Sequence, residues 1–442
     1  MDLALKGAAE AAQLIRDGLI SSKDLVSACL EQIERLEDKI GAWAFIDPEL
    51  ALAQAQRADT ALQLGQPLGS LHGVPVGVKD IFDTKDMPTE DGTVLHRGRQ
   101  PQQDATVVAK LREAGAIIMG KTVTTELAVF HPGKTRNPHD LERTPGGSSS
   151  GSAAAVAAGM VPLAVGTQTN GSMIRPASFC GVYGYKPTFG HISRHLVLPQ
   201  SRPLDQIGVF GRSIEDVALI AESLVGYDPS DPDSIMQARP GLFTVQAEKP
   251  PVEPRLAFVK TPVWQEADPF TRSAFEELVV ELGESAAEIH LPDMFNGAHE
   301  HHRQIMEADL ARSFAAEYRD GADQLSDTLK QMIERGQKVL AVDYNNAVAA
   351  RDIYYGAFEQ VFEWHDAIIT LATVGEAPAG LESTGSPMFC TIWTLCGMPA
   401  ITLPLLQGEQ GMPLGVQLVG SRGDDARLLR TARWLVETVA SA

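Results

Sequence analysis

Serine is the residue type whose placement in this chain most invites a chemical reading. Gly147-Ser148-Ser149-Ser150-Gly151 matches G-x-S-x-G, the nucleophile elbow of α/β-hydrolases. That elbow needs a hydrophobic strand directly before it. Here the preceding residues, His139 to Pro145, are polar and end in proline, so a His/Asp triad centred on Ser149 is not expected. Histidine offers a second reading. His299-Glu300-His301-His302 resembles H-E-x-x-H, but Arg303 holds the place of the second ligand, and a guanidinium does not bind zinc. The tetrad reads as a solvated helix face, and no metal is expected. Nucleotide chemistry has no support either: G-x-G-x-x-G and G-x-x-x-x-G-K-[ST] are absent, and Gly184 to Thr188 fails phosphate-loop spacing.

A longer pattern accounts for more of these residues. GGSSSGSAAAVAAGMVPLAVGTQTNGSMIRPASFCGVYGYKPTFG, Gly146 to Gly190, closely resembles the signature of the amidase signature family of serine hydrolases. Gly73-Val74-Pro75-Val76-Gly77-Val78-Lys79-Asp80 resembles that family's lysine-bearing strand, and Leu395 to Pro404 and Gly415 to Gly420 resemble its C-terminal strands. The resemblance covers about residues 65 to 225 and 366 to 435. It implies an α/β amidase signature fold, a large mixed twisted β-sheet flanked by helices on both faces. It also implies a Ser-Ser-Lys triad of Lys79, Ser148 and Ser172, with Ser172 the nucleophile, 24 residues after Ser148. Ser148 is then expected on a cis peptide between the other two, accepting from Ser172 and donating to Lys79. The N–H groups of Thr169, Asn170, Gly171 and Ser172 are expected to form the oxyanion hole. No member of the family needs a metal or organic cofactor, so none is implied.

Elementary chemistry sets conditions on that arrangement. A serine hydroxyl needs a base within hydrogen-bond reach. Free lysine, with a pKa near 10.4, is protonated at neutral pH, and burial lowers that value by up to about 3–5 units. The apolar run Val74 to Val78 leading into Lys79 fits such burial. Three positions depart from the family pattern: Ser150 replaces a glycine, Asn170 a glycine and Gln168 an aspartate. Asparagine keeps the N–H and tolerates positive φ better than other non-glycine residues. The form GTQT[GN]GSxIRP resembles a malonamidase-like subgroup, in which Arg175 can pair with a substrate carboxylate; an internal carboxylate is the alternative partner.

Elements able to position these residues are visible around them. Ser21 or Ser22 can cap a helix with Leu25, Val26, Cys29, Leu30, Ile33 and Leu36 on its apolar face. Asp47-Pro48 opens another helix, and Asp104 is expected to cap a third, which runs through Leu111 and stops at Gly115. Val74 to Lys79, Ala116 to Met119 and Val161 to Val165 read as strands, and Ala153 to Ala158 as a helix, an α/β alternation. Residues 266 to 365 read as mostly helical and polar. Strands return at Ile368-Ile369, Ala400 to Leu403 and Val416 to Val419. The whole, 1–442, reads as one domain: N-terminal helices at 1–64, a signature core at 65–225, a variable insertion at 228–365 and a C-terminal part of the core at 366–442.

Composition narrows the function classes. The 442 residues are 44% hydrophobic and 21% charged, enough apolar material for a sizeable core. A net charge of −20 repels phosphate backbones and anionic membranes, so neither nucleic acid nor a membrane is an expected partner. The four cysteines lack metal or redox spacing and read as buried thiols in a reducing compartment. No apolar stretch reaches the roughly 20 residues of a membrane span, so a cytoplasmic location is expected. The reading is an amidase acting on a small amide, with a carbamate (urethane) or ester as further candidates, through an acyl-serine intermediate. A small-molecule amide or carbamate is the expected partner, and a homodimer is allowed. Two alternatives stand beside it: a component like the A subunit of a tRNA-dependent amidotransferase, against which an acidic lone chain argues mildly, and a catalytically inactive ligand-binding homologue.

Overall fold

The computed structural model describes residues 3–238 and 240–441. Its strands are β1 (Trp43–Ile46), β2 (Pro75–Lys79), β3 (Ile117–Thr122), β4 (Leu163–Gln168), β5 (Tyr183–Lys186), β6 (Gln206–Gly211), β7 (Leu256–Lys260), β8 (Ala286–His290), β9 (Ala367–Leu371), β10 (Ala400–Gln407) and β11 (Pro413–Val419). They form one sheet in the order β1-β3-β2-β4-β6-β5-β10-β11-β9-β7-β8. β2 pairs in parallel with β3 and β4, and β7 in parallel with β8 and β9; the central strands run antiparallel. This is a mixed α/β sheet with helices on both faces.

Strand alternation explains which residues point where. Val76 and Val78 join Leu163, Val165, Ile207 and Val209 in a core on one face, packed by the helices Ile214–Leu224 and Asp425–Ser441. Each such side chain contributes roughly 1.5–3 kcal/mol when fully buried. Gly77 and Ala164 face the other way, toward Trp43 and the helices Ser22–Ile40 and Ser150–Ala157. Lys79 shares the side of Gly77. On that same face, farther along the sheet, Ala257, Ile368 and Val419 pack under the helices Ala298–Ser313, Asp327–Gly336 and Met388–Leu395.

Most local signals act as their chemistry suggests. Ser21 caps its helix in a capping box with Asp24, and Asp47 caps Pro48–Gln63 with proline in the first turn. Asp104 differs. The helix Thr106–Glu113 begins after Ala105 without a side-chain cap, and the Asp104 carboxylate instead accepts from Lys85 N and from Arg112. The stretch read as helical between 266 and 365 also holds a strand, β8, which closes the sheet edge beside β7. The four cysteines are buried and no disulfide joins any of them. No helix among the described residues is long and apolar enough to cross a membrane.

Candidate active site

Lys79 ends β2 with none of its surface exposed. Its Nζ lies 2.8 Å from Ser148 Oγ and 2.8 Å from Thr167 Oγ1. Burial drives its pKa well below the usual lysine value, and only the more distant Asp205 carboxylate favours the charged form. The Gly147–Ser148 peptide is cis, and Gly146 before it has φ +82°. A Cβ at Gly147 would sit 2.8 Å from Thr384 Cγ2, so any side chain here would force Thr384 to move.

Ser172 follows β4 in the turn that enters the helix Ile174–Cys180. Its hydroxyl makes no hydrogen bond among the described residues, so the expected Ser148–Ser172 bond is not present in this geometry. The N–H groups of Asn170, Gly171 and Ser172 have no protein acceptor among those residues and remain available as donors. The turn is held from several sides. Gln168 Oε1 accepts from Met173 N (2.8 Å) and Ile174 N (3.1 Å), while its amide donates to Thr394 Oγ1. The acceptor work open to an aspartate is thus done by an amide oxygen. Asn170 does not use positive φ: its Oδ1 accepts from Thr391 Oγ1 (2.8 Å) and its carbonyl from Thr394 Oγ1. At Gly171 a Cβ would meet Pro387 at 2.9 Å.

Arg175, 1% exposed, donates to Gly147 O (2.7 Å) and Thr384 Oγ1 (3.1 Å). Among the described residues its Nε and Nη1 have no hydrogen-bond partner, and no carboxylate pairs with it. Burial pushes the guanidinium down to about 10. Arg175 and Ser172 line a pocket of about 10 Å³, walled by Phe130, Met306 and Pro387. Thr169 and Gln200 line both this pocket and a cavity of about 400 Å³ that Leu196, Val197 and Ile207 also line.

Ser149 lies away from any acid–base pair: its Oγ bridges Thr167 O and Thr167 N, buried. Ser150 donates to Val123 O. The histidine tetrad is not a solvated face. His302 is buried and donates from Nε2 to Thr169 O, and His299 donates to Met388 O. Helical spacing alone does not reveal that face, because the partners come from distant segments. Asp205 also escapes a sequence reading. It accepts from Thr169 Oγ1 (2.6 Å) and from the N–H groups of Gln200 and Ser201, and burial pushes it up to about 6.

A family model described as Amidase matches residues 24–429. The A subunit of glutamyl-tRNA(Gln) amidotransferase from Rhodopirellula baltica is 33% identical, over 96% of this chain and 95% of its own. Among solved structures, one reported as a vestigial protein complex bearing on the origins of an s-triazine catabolic enzyme superposes with a TM-score of 0.91 at 29% identity, covering 98% of each chain. Peptide amidase from Stenotrophomonas maltophilia superposes with a TM-score of 0.85 at 26% identity, over 98% of this chain and 97% of its own.

Proposed function

The chain belongs to the amidase family, and from that premise we propose that it cleaves a small linear amide through an acyl-Ser172 intermediate. The observation that carries this reading is a fully buried lysine whose nearest partners are two hydroxyls, one of them Ser148. Neutral Lys79 takes the Ser148 proton while Ser148 takes that of Ser172, which requires Ser172 to turn onto Ser148. Ser172 Oγ attacks the carbonyl carbon, and the N–H groups of the 169–172 turn receive the oxyanion. The C–N bond then breaks, the amine leaves with the proton returned through Ser148, and water releases the acyl group by the same route.

Arg175 supports a narrower substrate class. A buried guanidinium with two unpartnered nitrogens, in the pocket of Ser172, suits an amide whose acyl part carries a carboxylate. Carbamates and esters present the same carbonyl to the same donors.

A second reading is favoured by the curated relative: an amidotransferase A subunit, in which the released nitrogen passes to glutamyl-tRNA(Gln) with other chains. The acyl-serine step is common to both. The purified chain alone, given half-amides of dicarboxylic acids, glutamine, neutral aliphatic amides and carbamates, separates them. Robust ammonia release from a half-amide without partners supports the hydrolase. Release that needs partner chains supports the amidotransferase reading, and no turnover in either setting with no serine labelling supports the inactive homologue. Arg175→Met is expected to lower kcat/KM for every amide, because Gly147 O loses its donor, and to cost carboxylate-bearing amides about tenfold more than neutral ones.

A further inference from the structure

Thr169 opens the turn that carries the candidate oxyanion donors, and it is gripped at two atoms by residues outside the stretches that resemble the family signature. Its carbonyl accepts from His302 Nε2 at 2.9 Å, and its hydroxyl donates to Asp205 at 2.6 Å. His302 comes from the helix Ala298–Ser313, between the two parts of the sequence that carry the signature motifs. Asp205 lies just before β6 and is itself fastened by the N–H groups of Gln200 and Ser201.

We propose that His302 and Asp205 are positioning residues that aim the Asn170 N–H into the oxyanion hole by holding Thr169. The peptide plane provides the coupling. In a trans peptide the C=O of Thr169 and the N–H of Asn170 point in opposite directions across one rigid unit. Fixing the carbonyl on His302 therefore fixes the direction of the N–H. The next peptide is handled in the same way, with Thr394 Oγ1 on Asn170 O setting the Gly171 N–H. Burial pushes His302 down to about 4, so at neutral pH the ring is uncharged, and its Nε2 proton is committed to Thr169. His302 thus ties the helical insertion to the reacting carbonyl without touching substrate.

This inference rests on the acyl-serine reading, and one experiment separates the two. A fluorophosphonate places its P–O oxygen where the oxyanion forms, so its kinact reports donor alignment and its KI reports access. Wild type should label at Ser172. His302→Leu should lower kinact about tenfold or more with KI within about twofold, because an aligned donor is lost in a water-excluded site. His302→Gln, which keeps a distal N–H, should stay within about threefold of wild type. Unchanged kinact in His302→Leu, or equal losses in the Leu and Gln variants, overturns the proposal. Should His302→Leu not fold, Thr169→Val removes only the hydroxyl held by Asp205. A fall in its kinact at constant KI supports the clamp, and an unchanged kinact overturns it. An unlabelled wild type contradicts the acyl-serine reading and this inference with it, whereas labelled but insensitive variants contradict the inference alone.

Discussion

Two adjacent strands of the sheet each bury a lysine completely, and they use it differently. Lys79 ends β2 and Lys121 lies on β3, paired in register with Val78. Burial lowers the pKa of both. Lys121 faces the Asp80 carboxylate at 3.2 Å, the Phe82 carbonyl at 2.9 Å and the Thr89 hydroxyl. Burial pushes Asp80 up to about 6 while Lys121 favours its charged form, and the contact between them is a buried structural pair. Among the described residues, Lys79 contacts hydroxyls only. Lys79 and Asp80 are neighbours in sequence, yet the aspartate serves the other strand's lysine. Burial alone does not make a lysine a base; the role proposed for Lys79 rests on burial without a contacting carboxylate, beside a hydroxyl that can give up its proton.

Substitution at either lysine separates the two roles. Lys79→Ala is expected to lower kcat by about 10³-fold or more, and Lys79→Arg to do no better, since a guanidinium stays protonated. Lys121→Ala should do the reverse. It leaves Asp80 buried without its cation and costs the fold roughly 3–5 kcal/mol, read by urea denaturation, while turnover of the folded fraction stays within a few-fold of wild type.

The pH profile bears on the same contrast. Protonated Lys79 cannot accept a proton, so kcat/KM should rise with pH through the folded-state pKa of the Lys79–Ser148–Ser172 unit. That limb should lie well below the ordinary lysine value of 10.5, because burial disfavours the charged amine. Asp205 is the carboxylate that favours the charged form. Asp205→Asn should therefore move the limb to lower pH, whatever it does to the plateau rate. A limb near 6.5 that vanished with His72 would transfer the role to a histidine. His72, however, donates to Ala58 O in a different part of the fold. The smallest effect is expected at Ser149→Ala, within about threefold of wild type, since its hydroxyl contacts only Thr167 backbone and the Met173 sulfur among the described residues, and no acid or base.

What could be read from the chain follows the range of the interactions. β2 and the helix capped by Ser21 announce themselves through apolar spacing and a local cap. The meeting of Lys79 with Ser148 is foreshadowed by family resemblance, not by any periodicity. Signals that depend on distant partners are not legible. Asp104 looks like a cap but is taken by Lys85 and Arg112. The His299–His302 tetrad looks solvated, but only Glu300 is exposed, while His302 faces Thr169 and His299 faces Met388. β8 is short and half exposed at the sheet edge, so it lacks the continuous apolar run that marks the central strands. Asn170 needs no left-handed backbone, because Thr391 and Thr394, more than two hundred residues away, hold it in place.

The central claim is that a neutral Lys79, acting through Ser148, makes Ser172 the nucleophile. Mapping the fluorophosphonate adduct by peptide mass spectrometry, in wild type and in Lys79→Ala at neutral pH, tests it most directly. A single adduct on Ser172 is predicted in wild type, and little or none in Lys79→Ala. An adduct on Ser149, or labelling of Ser172 at an equal rate without Lys79, would contradict it.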